Sequence, residues 1–349
     1  MRFIPAVRRA SVSSTPLSIF RKMKAPFRSC SILCLAALLI FSAASALAQA
    51  GGYTTIVVFG DSLSDTGNVT HLTFYQYGIP VPGPYADYTL GSFTDGPDTT
   101  PVAQKYFGVW VKQLADSLPG QPEVIDSLDG GTNYAYGYAT TGNGTSTLTL
   151  NNGTIPAPSV QVHNIGQQIT DYLATHPKID RHTLFIIWGG AIDLLNAKSA
   201  GDVIDAAFRQ TLNIQRLVDA GATQFLVPNL PPLGLTPRLN GSPATSIPAN
   251  AAAVLFNAYL ATGLAVLHDF YPFRRLVFMQ LDVFSLFNKV ASSPGAYSLV
   301  NVKNSSQGNP LVDPDTYLFW DDLHPTTTGH NILAERAGAL ITQHLAAIP

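Results

Sequence analysis

A serine near the start of the chain has neighbours suited to nucleophilic catalysis. Ser62 follows an apolar run and Gly60-Asp61, so it is predicted to lie just past the carboxyl end of a strand. Open α/β sheets form their ligand crevice there, and the small Gly60 permits a tight turn. A helix beginning near Ser62 would direct backbone N–H groups at an anion. A polar helix cap is the alternative interpretation.

The second group is Asp321-Asp322-Leu323-His324, near the other end of the sequence. A carboxylate three residues before a histidine can accept a hydrogen bond from one ring nitrogen, which leaves the other nitrogen to take a proton from a serine. Pro325 suits the first turn of a following helix. Alone, this motif is weak, and a surface histidine with satisfied hydrogen bonds is the commoner explanation. With Ser62 it forms a candidate Ser-His-Asp triad.

The elements that position these residues follow an α/β pattern in one domain, because short apolar runs alternate with longer amphipathic stretches. The predicted strands are Thr55–Phe59, Glu123–Ile125, Leu184–Trp188, Gln224–Val227 and Leu276–Gln280. Helical spacing of apolar residues predicts helices over Val102–Leu118, Val160–Leu173, Val203–Val218, Ala251–Leu267 and Thr328–Leu345. Two long stretches rich in Gly, Pro, Asn and Thr, Tyr77–Thr100 and Thr140–Ser159, are predicted to be loops that wall the site.

Composition narrows the function classes. Hydrophobic residues make up 46% of the 349 residues and charged residues 12%, which is typical of a globular chain rather than a disordered one. The formal net charge is -2. With no basic face interleaved with aromatic residues, the sequence predicts no nucleic-acid partner.

The first 48 residues are predicted to be a signal peptide, and residues 49–349 the functional domain. An apolar run of about ten residues, too short for a spanning helix, precedes Ala46-Leu47-Ala48, a small-residue cleavage signal. Met23 is a second candidate for the true start. We therefore expect a secreted protein, extracellular or periplasmic, without a stable membrane anchor. Cys30 and Cys34 both fall in the leader, so the mature chain is predicted to lack disulfides and thiolate metal sites.

Five blocks in order resemble the GDSL esterase/lipase family of SGNH hydrolases. They are Gly60-Asp61-Ser62-Leu63, Gly131-Thr132-Asn133-Tyr134-Ala135, the segment 188–195, the segment 225–234, and Asp321-x-x-His324. The resemblance implies a flavodoxin-like three-layer sandwich with a five-stranded parallel sheet and helices on both faces. It also implies ester hydrolysis without cofactor or metal, in which Ser62 forms an acyl-enzyme, His324 moves the proton and Asp321 orients the imidazole.

The oxyanion hole departs from the family pattern. The resemblance assigns backbone donors to Ser62 and Gly137, and a third donor to an Asn whose position Ile192 occupies here. Isoleucine has no side-chain donor. Three explanations remain open: Asn196 or the Gly189-Gly190 turn supplies the third donor, the enzyme works with two donors, or the site is inactive.

Two functions follow as hypotheses. The first is a secreted hydrolase of carboxylic esters, acyl or acetyl, borne by small molecules, lipids or polysaccharides; the lack of a continuous apolar lid segment favours short acyl chains. The alternative is a catalytically weak or inactive protein of the same fold that binds carbohydrate or lipid. Asp65 and Asn68 are expected to brace the loop beyond Ser62, and Gly91–Gly96 to lie near the site. The other histidines show no metal-ligand spacing.

Overall fold

The computed structural model describes residues 52–83, 86–96, 104–120, 122–150 and 158–347. The predicted leader, the possible start at Met23 and both cysteines lie outside these residues. The strands are β1 Thr55–Gly60, β2 Thr145–Thr149, β3 Ser159–His163, β4 Thr183–Trp188, β5 Gln224–Pro228, β6 Val277–Leu281, β7 Asn301–Ser305 and β8 Tyr317–Phe319. The helices are α1 Asn68–Tyr77, α2 Trp110–Ser117, α3 Ile165–Thr175, α4 Ala191–Asn196, α5 Ala200–Asp219, α6 Pro243–Phe270, α7 Val283–Ser292 and α8 Thr327–Ala346.

A parallel sheet in the order β1-β4-β5-β6 forms the centre of the domain. Strand β4 is buried along its whole length, as its unbroken apolar sequence predicts for a strand covered on both faces. Gly60 pairs with Trp188 at the carboxyl ends of β1 and β4. The segment that carries Ser62 therefore leaves the sheet at the edge where α/β folds bind ligands.

Alternate residues of β1 belong to two separate cores. Ile56 and Val58 pack in a cluster with α2, α7 and α8, whereas Val57 and Phe59 pack in a cluster with α3, α5 and α6. Because neighbouring side chains of a strand point to opposite faces, this division places a helical layer on each side of the sheet. The predicted α/β three-layer fold is confirmed.

The predicted strand Glu123–Ile125 is not part of the sheet, which has four laddered strands among the described residues rather than five. The segment 132–136 lies beside β1 instead: the Val58 N–H donates to the Thr132 carbonyl (3.0 Å) and the Tyr134 N–H to the Val58 carbonyl (2.8 Å). A sharp turn before this segment places residues 123–125 outside it, where the Ile125 carbonyl accepts from the Asn133 N–H at 2.9 Å. The segment 132–136 therefore occupies the position next to β1, and the predicted strand Glu123–Ile125 lies on the far side of this segment.

Two predicted helices start later than their apolar spacing indicates. Helix α2 begins at Trp110 because Gly108, at φ 72°, reverses the chain just before it. Helix α3 begins at Ile165, because the alternating Val160 and Val162 belong to β3. Strand β3 pairs antiparallel with β2, and β2 lies inside the stretch 140–159 that was predicted to be a loop. Period-2 alternation over five residues outweighed the helical spacing there.

Helix α6 is the one helix among the described residues that is long and apolar enough to cross a membrane by length and composition. Its buried side chains, Ala253, Phe256, Leu260, Leu264 and Leu267, belong to the same core cluster as α5. Phe256 also contacts the loop before α4, since a Cβ on Gly190 would lie 2.6 Å from its ring. Through this buried face, α6 packs into the helical layer that covers one side of the sheet.

Candidate active site

The structure brings Ser62, His324 and Asp321 together at the carboxyl edge of the sheet. Ser62 follows β1, and the other two residues lie between β8 and α8. Nε2 of His324 is 2.8 Å from Oγ of Ser62, and Nδ1 of His324 is 2.6 Å from Oδ2 of Asp321. Oδ1 of Asp321 accepts from the His324 N–H at 2.6 Å and from the Leu323 N–H at 2.7 Å. This turn explains the three-residue spacing, because the carboxylate binds both backbone and ring of the same histidine.

The electrostatics of the pair favour a basic imidazole. Burial alone lowers the pKa of His324, but the charge of Asp321 and its hydrogen bond outweigh burial, so the pKa lies above the usual 6.5. Burial raises the pKa of Asp321, yet the His324 charge and hydrogen bonds from His324 and Tyr88 hold it below its usual value. The carboxylate is therefore ionised and the imidazole is a better base than a free histidine.

The turn that carries Ser62 depends on Gly60. A Cβ at this position would lie 2.5 Å from the Trp188 carbonyl oxygen, so only glycine allows β1 and β4 to approach this closely. The next residue, Asp61, accepts from the Leu63 N–H at 3.1 Å, which holds the turn just past Ser62. Burial raises the pKa of Asp61 to about 6. Gly60 and Asp61 thus determine the shape of the turn that carries Ser62.

Asp65 and Asn68 brace the loop beyond the nucleophile, as predicted from the sequence. The buried Asp65 carboxylate accepts from the N–H groups of Gly67 and Asn68, both at 2.8 Å. The Asn68 amide donates to the carbonyls of Asn133 (2.8 Å) and Ala135 (2.9 Å). These bonds join the Ser62 loop to the segment beside β1.

Residues 86–96, here called the 86–96 loop, hold the Asp321–His324 turn from outside. The Tyr88 hydroxyl donates to Oδ2 of Asp321 at 2.7 Å, and the Phe93 ring lies 5.1 Å from the His324 ring. The buried Asp95 accepts from the Thr327 N–H at 2.6 Å and so caps the start of α8. Sequence reasoning placed Gly91–Gly96, which includes Phe93, near the site but did not single out Tyr88. The sequence offered one signal for Tyr88, namely that it is an aromatic residue in a stretch rich in Gly and Pro.

The assignment of Gly137 as an oxyanion donor is corrected by the structure. Its N–H donates to Oδ2 of Asp65 at 2.8 Å and is therefore already used. The next residue, Tyr138, adopts φ 70°, a left-handed conformation that costs a non-glycine residue about 1–3 kcal/mol. Among the described residues no acceptor lies in hydrogen-bonding range of the Tyr138 N–H or the Ser62 N–H. These two groups are free to bind an anion.

The two residues before Tyr138 contact the surroundings of the Ser62–His324 pair. The Tyr136 N–H donates to the Gly60 carbonyl at 3.2 Å, so the chain beyond it runs beside the Ser62 turn. A Cβ on Gly137 would lie 2.5 Å from the ring of Phe93, the same ring that contacts His324. The strained Tyr138 therefore directly follows a segment that contacts both the Ser62 turn and the Phe93 ring.

Ile192 lines the pocket beside Ser62, where the family pattern calls for an amide. The pocket is apolar and narrow; its lining includes Leu63, Trp188, Ile192, Leu233, Phe287 and Phe319. Asn196 does not replace the missing donor, since its amide donates to the Ile192 carbonyl at 2.9 Å within α4. Neither predicted loop contributes a described residue to this lining. Instead, Thr141 of the second loop binds the Asp193 carboxylate, which also pairs with Arg209 at 3.0 Å.

His71 lies beside two carboxylates. Its Nδ1 is 3.5 Å from Asp126 and its Nε2 is 3.3 Å from Asp129, although the sequence spacing gave no sign of this grouping. The ligand atoms of the three residues lie within 4.8 Å of one another, close enough to hold a metal ion. Exposed acidic groups such as Asp129 commonly cluster in this way without a metal ion.

Comparison with known proteins agrees with this geometry. The family model described as GDSL-like Lipase/Acylhydrolase matches residues 56–337, nearly all of the described domain. The chain belongs to this family. Membership supports an acyl ester hydrolase at the level of reaction class.

Curated relatives in the family include larger proteins. An uncharacterized protein of the trpE-trpG intergenic region of Pseudomonas putida is 27% identical over 325 residues, covering 87% of this chain and 51% of the relative. A phosphatidylcholine-sterol acyltransferase of Aeromonas hydrophila is 25% identical, covering 83% of this chain and 90% of that protein. The chain thus spans about half the length of the first of these relatives. Among solved structures, a member of the lipolytic protein G-D-S-L family from Veillonella parvula covers 83% of this chain and 98% of its own, at 12% identity and a TM-score of 0.40.

Proposed function

We propose that this protein is a secreted serine hydrolase of carboxylic esters, with Ser62 as nucleophile, His324 as base and Asp321 as the carboxylate that orients the imidazole. The observation that carries the proposal is the continuous hydrogen-bonded chain from Oγ of Ser62 through both ring nitrogens of His324 to Asp321. Its members come from opposite ends of the sequence, 262 positions apart for the serine and histidine.

The reaction follows from this geometry in two halves. Oγ of Ser62 attacks the ester carbonyl carbon as its proton passes to Nε2 of His324. The tetrahedral intermediate then collapses, the C–O bond to the alcohol breaks, and His324 returns the proton to the leaving oxygen. Water attacks the acyl-enzyme in the same manner, with His324 as base, and releases the acid and free Ser62. Asp321 stays ionised and stabilises the imidazolium formed in each half.

The oxyanion that forms in each half is assigned to the N–H groups of Ser62 and Tyr138. Both lack acceptors among the described residues, and the strained Tyr138 follows a segment whose Tyr136 N–H donates to Gly60 in the Ser62 turn. Strain of this kind is commonly stored at functional sites. The resulting hole has two backbone donors and an apolar wall at Ile192.

A catalytically weak or inactive protein that binds carbohydrate or lipid is the second candidate, and Ile192 is the observation that favours it. Loss of one oxyanion donor costs about 10²–10³ in turnover in another serine hydrolase. The intact triad favours catalysis, because an idle site does not need three buried, mutually bonded groups.

The deciding experiment compares the mature protein with Ser62→Ala on p-nitrophenyl acetate and longer esters. Ser62→Ala removes Oγ and retains the fold, so activity that depends on the triad falls to the uncatalysed rate. A covalent phosphonate adduct on Ser62, detected by mass spectrometry, supplies an independent readout. Equal rates of hydrolysis for the two proteins, with no adduct on Ser62, would refute the proposal of a hydrolase. The second candidate, a protein that binds carbohydrate or lipid, would then remain.

Secretion is proposed from the sequence alone. Expression of the full chain followed by N-terminal sequencing of the exported protein is expected to give a mature start at Gln49, after Ala48. Retention in the cytoplasm with an intact leader refutes it.

A further inference from the structure

A second apolar cavity lies next to the catalytic pocket, between α4 and the N-terminal part of α6. We call it the α4–α6 groove. It encloses about 490 Å³, which falls within the roughly 300–1,000 Å³ of small-molecule sites. The catalytic pocket itself encloses only about 30 Å³. A substrate with a long chain therefore needs space beyond the pocket.

The groove and the catalytic pocket share a wall. Leu233 lines both cavities. Helix α4 extends along both as well: Ala191 and Ile192 line the pocket, while Leu194 and Leu195 line the groove. The groove and the pocket beside Ser62 are therefore neighbours, lined by apolar residues of the same two segments.

The chemistry of the groove favours hydrocarbon. Its described lining consists mainly of aliphatic side chains, including Leu195, Val203, Leu239, Ala252 and Leu255, and Lys198 is the only charged member. A polar ligand would find few directional donors or acceptors on such a surface. A hydrocarbon chain needs none, and each methylene that it buries increases affinity about fourfold.

We propose that the α4–α6 groove binds the hydrocarbon chain of a lipid ester whose carbonyl carbon lies at Ser62. The proposal rests on the esterase function above and names its substrate class: esters with a chain longer than the catalytic pocket holds. The sequence favoured short acyl chains for want of a lid segment, but an open groove beside the pocket needs no lid.

The test fills the groove with one side chain. In Ala252→Phe, the ring occupies the groove; Ala258→Phe places the same ring on an exposed part of α6 that does not line it. Two substrate series are compared: p-nitrophenyl esters from acetate to dodecanoate, which vary the acyl chain, and acetates of 1-butanol to 1-dodecanol, which vary the alcohol. We expect the ratio of kcat/KM for the longest to the shortest substrate to fall at least tenfold in Ala252→Phe and to stay unchanged in Ala258→Phe.

The series in which the ratio falls tells which side of the ester occupies the groove. Unchanged ratios in both series overturn the proposal, as does a similar fall in Ala258→Phe. Leu195→Gln, which makes the groove polar without filling it, must act in the same direction. Sedimentation of each variant tests a second copy of the chain as the occupant: a loss of self-association in Ala252→Phe overturns the hydrocarbon site.

Direct binding separates this proposal from the esterase function. Dodecanoate is titrated calorimetrically into Ser62→Ala and into the double variant Ser62→Ala/Ala252→Phe, neither of which needs to turn over. At least tenfold weaker binding to the double variant supports the groove even if no ester is hydrolysed. Hydrolysis of acetate together with equal dodecanoate binding overturns the groove and leaves the esterase intact.

Discussion

The Tyr88 hydroxyl donates a 2.7 Å hydrogen bond to Oδ2 of Asp321, the same oxygen that receives Nδ1 of His324. Burial, and next the charge of Asp321, raise the pKa of Tyr88, so the phenol remains a protonated donor. Its ring packs edge-on against Trp320 at 5.9 Å. Two donors therefore share the negative charge of one carboxylate oxygen, and the 86–96 loop contributes one of them.

Tyr88→Phe removes this donor and retains the ring. Because the freed Asp321 oxygen interacts more strongly with His324, the pKa of His324 rises and the acidic limb of kcat/KM moves to higher pH. We expect kcat to fall about tenfold, since a hydrogen bond to a charged group contributes about 1.5–3 kcal/mol. The measurement is the pH profile of ester hydrolysis. Tyr75→Phe, which changes an exposed tyrosine of α1, is the matched control. If the acidic limb of the pH profile does not move in Tyr88→Phe, the role of Tyr88 is confined to packing.

The pH dependence of the site follows from His324. Only the neutral imidazole accepts the Ser62 proton, and Asp321 raises the pKa of His324 above 6.5, so kcat/KM is expected to reach half of its maximum above pH 6.5. In Asp321→Asn, the largest charge that opposes burial is lost and only Asp61 still raises the pKa of His324, so this pKa falls below that of the parent protein. Titration of the imidazole by NMR checks both values. Turnover of this variant falls roughly 10⁴-fold, as when the equivalent carboxylate is neutralised in another serine hydrolase. An unshifted histidine pKa would contradict the assignment.

Ile192→Asn tests whether the oxyanion hole is one donor short. The Ile192 side chain lines the pocket beside Ser62, so an amide there adds a hydrogen-bond donor to this pocket. We expect kcat to rise at least tenfold, with KM for short esters nearly unchanged, because the new bond forms only in the transition state. Steady-state kinetics on p-nitrophenyl acetate measure the gain. Ile192→Val keeps the wall apolar and serves as the control. A loss of kcat in Ile192→Asn means that the two backbone donors suffice and that the apolar wall is needed.

Two changes at Tyr138 separate its strain from its N–H. Tyr138→Gly relaxes the left-handed backbone and retains the N–H, so the free energy of unfolding rises by about 1 kcal/mol while the oxyanion donor remains. Replacement of the amide at 138 by an ester, through incorporation of an α-hydroxy acid, deletes only the N–H. We expect a fall in kcat of about 10²-fold or more for that variant. Urea unfolding and steady-state kinetics measure the two effects. If the ester variant keeps the kcat of the parent protein, the Tyr138 N–H is not an oxyanion donor.

Features determined by local chain chemistry could be predicted from the sequence alone. Strands β1 and β4 are apolar throughout because both of their faces are covered, and that pattern does not depend on which elements cover them. The Asp321–His324 pair is also local, since a three-residue turn lets the carboxylate reach the ring. Ser62 could be located because it directly follows a strand.

Features that depend on distant contacts needed the tertiary structure. Tyr88 and Asp321 are 233 positions apart, and no spacing rule relates them. The sequence could not show that Asp65 takes the Gly137 N–H, or that Tyr138 lies in a left-handed turn, because both depend on how segment 132–136 lies against β1. The misplaced strand at Glu123–Ile125 has the same cause: a short apolar run predicts burial, but only pairing with a neighbouring strand decides which run joins the sheet.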